Sequence, residues 1–83
     1  MRRRVRLVDM KKGDAGTVVE IRGGRHMSRR LEVLGVRPGK RIEKSGGSFL
    51  RGPVMVMLGN ARVAIGIGMA SRIVVELAAG DEE

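Results

Sequence analysis

Side chains able to do chemistry are few in this chain: one histidine (His26), four serines (Ser28, Ser45, Ser48 and Ser71), six methionines and no cysteine. A zinc or iron centre needs three or four N, O or S ligands, and His26, without cysteine or a neighbouring pair of acids, cannot assemble them. The methionines offer thioethers, but Met55 and Met57 alternate within a strand pattern and Met27 lies on a helix stripe, so core packing is their expected role. Nucleophilic catalysis lacks an acid to orient the single histidine that the serines would share. The string Gly35-Val36-Arg37-Pro38-Gly39-Lys40-Arg41 looks like a phosphate loop, yet its glycines stand one residue too close and Arg41 replaces the hydroxyl that would hold magnesium. Gly66-Ile67-Gly68 lacks the third glycine and the crossover unit of a dinucleotide site. No catalytic, metal or cofactor-binding residue is assigned on this reading; the expectation is a protein that is not an enzyme and takes no cofactor.

What remains is charge. The 83 residues carry 17 Lys and Arg against 9 Asp and Glu, a formal net charge of +8. Basic residues crowd the start (Arg2, Arg3, Arg4, Arg6, Lys11, Lys12) and recur through Arg22 to Lys44, while Asp81-Glu82-Glu83 closes the chain. Such an excess suits a polyanionic or acidic neighbour: nucleic acid, anionic lipid or an acidic protein face. Single-strand binders stack bases on several aromatic rings, and Phe49 is the one aromatic side chain here, which counts against nucleic acid. A chain this short buries only about 60–65% of its unfolded surface, enough for one thin core and no deep cavity. The absence of cysteine fits a reducing interior and a cytoplasmic address. No apolar run approaches the ~20 residues of a membrane-spanning helix, and the basic start lacks the apolar centre of a secretion signal.

The elements that would position these residues read as a mainly β chain. Leu7 onward forms a first strand ending in the turn Lys11-Lys12-Gly13-Asp14. A second strand, Gly16–Arg22, places Thr17, Val19 and Ile21 on one face, with Val18 signalling a bulge or burial on both faces. After Gly23-Gly24, Met27, Leu31 and Leu34 at i, i+4 and i+7 predict a short helix whose apolar stripe plugs one barrel end, with Arg29 and Arg30 turned away. Ser28 or Gly24 would cap its start and Gly35 would end it. Pro38-Gly39 makes a turn, and Lys40–Ser45 forms a strand carrying Ile42. Val54–Leu58 and Ala61–Ile65 form a hairpin on Gly59-Asn60, a primed-turn signal. Gly66–Ser71 is a tight connection before a last strand with Ile73, Val75 and Leu77 alternating. Short, regularly spaced strands favour a small closed or nearly closed barrel, and any unclosed edge could pair between copies, giving a homo-oligomer. One domain covers 1–83, with a core at 7–77, a basic segment at 1–6 and an acidic tail at 78–83.

The ordered set Leu7-x-x-Met10-x-x-Gly13-x-x-Gly16-x-Val18-x-x-Ile21-x-Gly23-Gly24, then Arg30-Leu31-x-x-Leu34-Gly35-Val36-x-Pro38-Gly39-x-x-Ile42, resembles the ferrous-iron transport protein A family, FeoA. Gly52-Pro53-Val54, Val63-Ala64-Ile65-Gly66 and Ala70-x-x-Ile73-x-Val75-Glu76 extend the resemblance to residue 77. It implies an SH3-like β-barrel in the cytoplasm that assists FeoB, a ferrous-iron permease with a GTP-binding domain. The same domain also ends metal-dependent repressors; with no helical DNA-binding segment ahead of it, a free-standing copy is expected. Ile67 and the arginine-rich start depart from the family pattern. The expected partner surface comprises Leu31, Leu34, Phe49, Leu50 and Arg30, while Arg2, Arg3, Arg4 and Arg6 would meet acidic protein or an anionic membrane surface.

Overall fold

Apolar alternation sets the inner face of the sheet. In the computed structural model, which describes residues 2–47 and 52–78, the strands are β1 (Arg4–Arg6), β2 (Ala15–Ile21), β3 (Arg41–Gly47), β4 (Val54–Leu58), β5 (Ala61–Ile65) and β6 (Ile73–Leu77). Helix α1 (Gly24–Val33) lies between β2 and β3, and the single-turn α2 (Ile67–Ala70) between β5 and β6. Every neighbouring pair is antiparallel, in the order β1-β6-β2-β3-β4-β5. The mainly β architecture with one helix inserted between strands two and three is therefore as expected. Closure is not: among the described residues β1 and β5 are the sheet's edges and do not pair with each other. Three residues of β1 are too few to carry the ladder further before the chain turns.

The first strand begins earlier than its apolar residues suggest. Arg4–Arg6 pairs with β6 (Arg4 with Glu76, Val5 with Val75, Arg6 with Val74), and Leu7–Asp9 forms one turn of 3₁₀ helix instead of strand. Period-two alternation turns Val5 inward and both arginines outward, a charged edge of the kind that discourages pairing with other chains. The 3₁₀ turn drops Leu7 and Met10 into the core, and Lys44 Nζ, partly buried, donates to the Met10 carbonyl at 2.6 Å.

β6 is paired on both sides, by β1 and β2, and Ile73, Val74, Val75 and Leu77 are all buried. β2 contains the bulge that Val18 signals: its register against β6 shifts between Val18 and Glu20. The inward residue is Val18 itself, while Thr17 is exposed and Val19 and Ile21 are half-buried, so the shared face assigned to those three is replaced by Val18. In β4 the core takes Val54, Val56 and Leu58; Met55 and Met57 lie on the outer face, half-exposed, and are not core residues. Asn60 follows Gly59, whose φ of +63° opens a two-residue turn joining the paired Leu58 and Ala61, as a primed hairpin requires.

One buried cluster joins the pieces: Leu7, Met10, Val18, Leu31, Val36, Ile42, Val54, Val56, Leu58, Ile65, Ala70, Ile73, Val75 and Leu77. At about 1.5–3 kcal/mol for each large side chain withdrawn from water, this cluster is the main source of stability in a domain without disulfides.

Candidate functional site

Helix α1 starts at a glycine and is stopped at its other end by backbone hydrogen bonds. Gly23 is its N-cap, with no side-chain cap, so neither Ser28 nor Gly24 fills that role; Gly24 stands inside the first turn with φ +80°. At the other end Gly35 adopts φ +95°, its N–H donates to the Glu32 carbonyl at 2.9 Å, and the Val36 N–H donates to the Leu31 carbonyl at 2.8 Å. This is a Schellman motif, whose usual apolar contact between the residue after the glycine and the one five back is supplied by Val36 and Leu31, both fully buried. The turn Arg37-Pro38-Gly39-Lys40 follows, closed by a Lys40 N–H to Arg37 carbonyl bond of 3.0 Å, with Gly39 at φ +94°. Proline second and a left-handed glycine third is the type II pattern. The Gly39 N–H is spent on the Val18 carbonyl at 2.7 Å, so this glycine string anchors a turn to β2.

That geometry divides the expected partner residues. Leu31 is 0% exposed and belongs to the core, so it cannot be touched by a partner. Leu34 does not plug the barrel: it is the helix C-cap and 39% exposed, because the chain reverses at Gly35 and Val36 takes the inward place. Met27 is half-buried against the core. Arg30 is exposed beside His26, Met27 and Met69. Phe49 and Leu50 lie outside the described residues.

A stripe that sequence reasoning passed over emerges instead. Arg25, Arg29 and Val33 recur at i, i+4 and i+8 and are all exposed, Val33 at 87%. Their spacing is the available signal, and it is masked in the sequence by the apolar stripe Met27, Leu31 and Leu34 on the same helix. Beside them Ser28 and Glu32 form the wall of a cleft of about 210 Å³, opposite Ile21 of β2 and the Arg37-Pro38 turn. Among the described residues, Arg25, Arg29, Arg30, Arg37 and Glu32 make no ion pair. Arg25 also sits at the positive end of the helix dipole with no acid in the first turn, a placement that works against helix stability.

The basic start is different. Arg2 Nη1 meets Glu76 Oε2 at 3.2 Å, Arg4 Nε meets Glu76 Oε1 at 3.4 Å, and Arg6 grips Asp9 through Nε at 2.9 Å and Nη2 at 3.4 Å. Arg3 alone of the four keeps its side chain unpaired among the described residues, while its carbonyl accepts from the Leu77 N–H at 2.8 Å. Of the described serines, Ser28 is in the cleft, Ser71 Oγ donates to the Gly68 carbonyl at 2.8 Å, and Ser45 Oγ is buried without a hydrogen-bond partner among the described residues; Ser48 lies outside them. Among the described residues no three His, Cys, Asp or Glu side chains gather into a metal-binding group, and no helix is long and apolar enough to cross a membrane.

Solved structures carry this fold. An iron uptake regulatory protein, FeoA, is 37% identical with a TM-score of 0.86, covering 92% of this chain and 100% of its own. A manganese-dependent transcriptional repressor is 24% identical with a TM-score of 0.84, covering 94% of this chain but 44% of its own. A FeoA from Stenotrophomonas maltophilia, solved in complex with zinc and described as a procaryotic SH3 domain protein, is 22% identical with a TM-score of 0.72, covering 93% of each chain. The architecture is thus SH3-like. No curated protein matches the sequence. The model of the FeoA domain matches residues 5–77, so the basic strand β1 lies partly within it, and this chain belongs to the FeoA family, which is tied to ferrous-iron transport.

Proposed function

We propose that this protein is a non-enzymatic adaptor of ferrous-iron uptake that docks on the cytosolic part of a FeoB-type GTPase-permease. The observation that carries the reading is Val33, 87% exposed beside half-exposed Leu34 at the end of a helix that also carries Arg25, Arg29 and Arg30, which make no ion pair among the described residues. Two adjacent apolar side chains held at the surface have no role in this domain's own core, and such a pair on a helix that also carries Arg25, Arg29 and Arg30 has the composition of a docking surface. Arg30 stays within that surface; Leu31 supports it from beneath. The chain works in the cytoplasm, at the inner face of the membrane where such a permease sits. Arg3, whose side chain makes no ion pair among the described residues, is the cation of the N-terminal group offered to anionic headgroups, which contribute about 1 kcal/mol per basic residue near the surface.

Pull-down of the transporter's cytosolic region by the full chain and by Val33→Gln, which removes the apolar surface without adding a charge to the helix C-terminus, tests this reading. The wild type is expected to bind; the variant is expected to keep its melting temperature, since the side chain is solvated, and to lose binding. No association with the wild type would overturn the adaptor. Tight capture of mixed RNA at physiological salt, with no transporter binding, would favour the nucleic-acid module that the net charge also fits.

A further inference from the structure

Resting on the docking reading above, we infer that the cleft beside α1 takes an extended acidic segment of a protein partner, with carboxylates at two alternate positions and an apolar side chain at the next alternate one. The spacing argues for it. Arg25 and Arg29 line the cleft four residues apart, Val33 continues their stripe just beyond its lining, and four residues of α-helix rise about 6 Å. Alternate side chains of an extended chain lie on one side at about 6.5 Å intervals, so a strand laid along the helix presents one side chain to each. Arg37, across the cleft, holds the segment from its other flank, and Ile21 and Pro38 supply apolar wall between the charges.

The charges say which chemistry is accepted. Arg25, Arg29 and Arg37 have no carboxylate of their own among the described residues, so an incoming anion displaces no internal partner. Glu32, next to Val33 and also unpaired, repels a third carboxylate at that level and selects a neutral, apolar group there. This graded order, two cationic positions then an apolar one, distinguishes the cleft from a uniformly basic patch suited to headgroups. Arg25 completes the case: its position in the first turn opposes the helix dipole, a cost to folding that a carboxylate partner turns to use.

The test is titration of the ¹⁵N-labelled full chain with a synthetic peptide, Gly-Ser-Glu-Ser-Glu-Ser-Leu-Ser-Gly, followed by amide shifts. Expected are shifts clustered at Arg25, Arg29, Val33 and Arg37, and a Kd raised about tenfold by Arg29→Glu, in line with a charge-assisted pair at a partly exposed site. Arg25→Glu is expected to weaken the peptide similarly while raising Tm by about 2–6 °C, because the new acid suits the helix N-terminus; weakened binding in a more stable protein cannot come from unfolding. Binding of the Gln-Ser-Gln peptide as tightly as the Glu peptide, shifts confined to the Arg2–Arg4 edge, full competition by inorganic phosphate at equal concentration, or preference for phosphatidylserine vesicles over the peptide would each overturn the inference. Transporter binding that survives Arg25→Glu with Arg29→Glu would also overturn it and leave the adaptor standing. Peptide binding without wild-type association with the transporter would retain the cleft chemistry and sink the adaptor.

Discussion

Two arginine-rich regions of this molecule look alike in sequence and behave differently in space. At the N-terminal edge, Arg2 and Arg4 share Glu76 and Arg6 holds Asp9, so three of four guanidinium groups are answered by the chain's own acids. On α1 and the following turn, Arg25, Arg29, Arg30 and Arg37 are answered by none among the described residues. A net charge of +8 therefore says little about where a partner would bind; pairing does. The first region also holds its arginines by ion pairs in water, whereas the second holds them by packing and backbone geometry beneath.

That difference predicts an order of sensitivities. Leu31→Ala removes the side chain that seats α1 and is expected to cost about 2–5 kcal/mol in chemical denaturation. Leu34→Ala, at the half-exposed C-cap, is expected to cost under about 1 kcal/mol by the area it buries; equal losses would return Leu34 to the core. Gly35→Ala forces a Cβ into the left-handed region and should cost about 1–3 kcal/mol, with the loss read as a lower Tm and faster amide exchange at Val36. At the other region Glu76→Gln releases Arg2 and Arg4 together. Because those arginine side chains are 74% and 64% exposed, the expected loss is under about 1 kcal/mol, and it should fade as salt is raised. The released arginines should also give the β1 edge a new affinity for acidic peptides, visible as amide shifts at Arg2–Arg4 that the wild type lacks. Asp9→Asn, freeing Arg6 alone, should change stability least of all, by about 0.5 kcal/mol or less. A larger loss from either acid than from Leu31→Ala would reverse the comparison.

Much of the fold was legible because its signals are local. The Gly59-Asn60 hairpin, the Pro38-Gly39 turn, the helix stop at Gly35 and the alternation of Ile73, Val75 and Leu77 depend on residues a few positions apart. The β2 bulge was visible in Val18 for the same reason. Errors came where an outcome depended on distant chain. Leu34 continued a helical stripe on paper, but Val36 folded back over Leu31 and took its place. Arg4–Arg6, with one apolar residue, fell in the basic segment set outside the core at 7–77, yet β6 supplies a ladder for it. Met55 and Met57 alternated correctly, but onto the face that the core does not use.

The sequence by itself determined a small mainly β domain of the FeoA kind, punctuated by glycines and carrying too many cations for its acids. Tertiary structure alone decided which of those cations are free. Arg2 and Glu76 stand 74 residues apart and meet only because β1 pairs with β6, whereas Arg25, Arg29 and Arg37 converge on a cleft where, among the described residues, none of them forms an ion pair, although Glu32 also lines it. Turn and strand preferences act through neighbouring φ and ψ angles and can be read along the chain; the pairing of two charges depends on the distance between them, and that distance exists only once the sheet has formed.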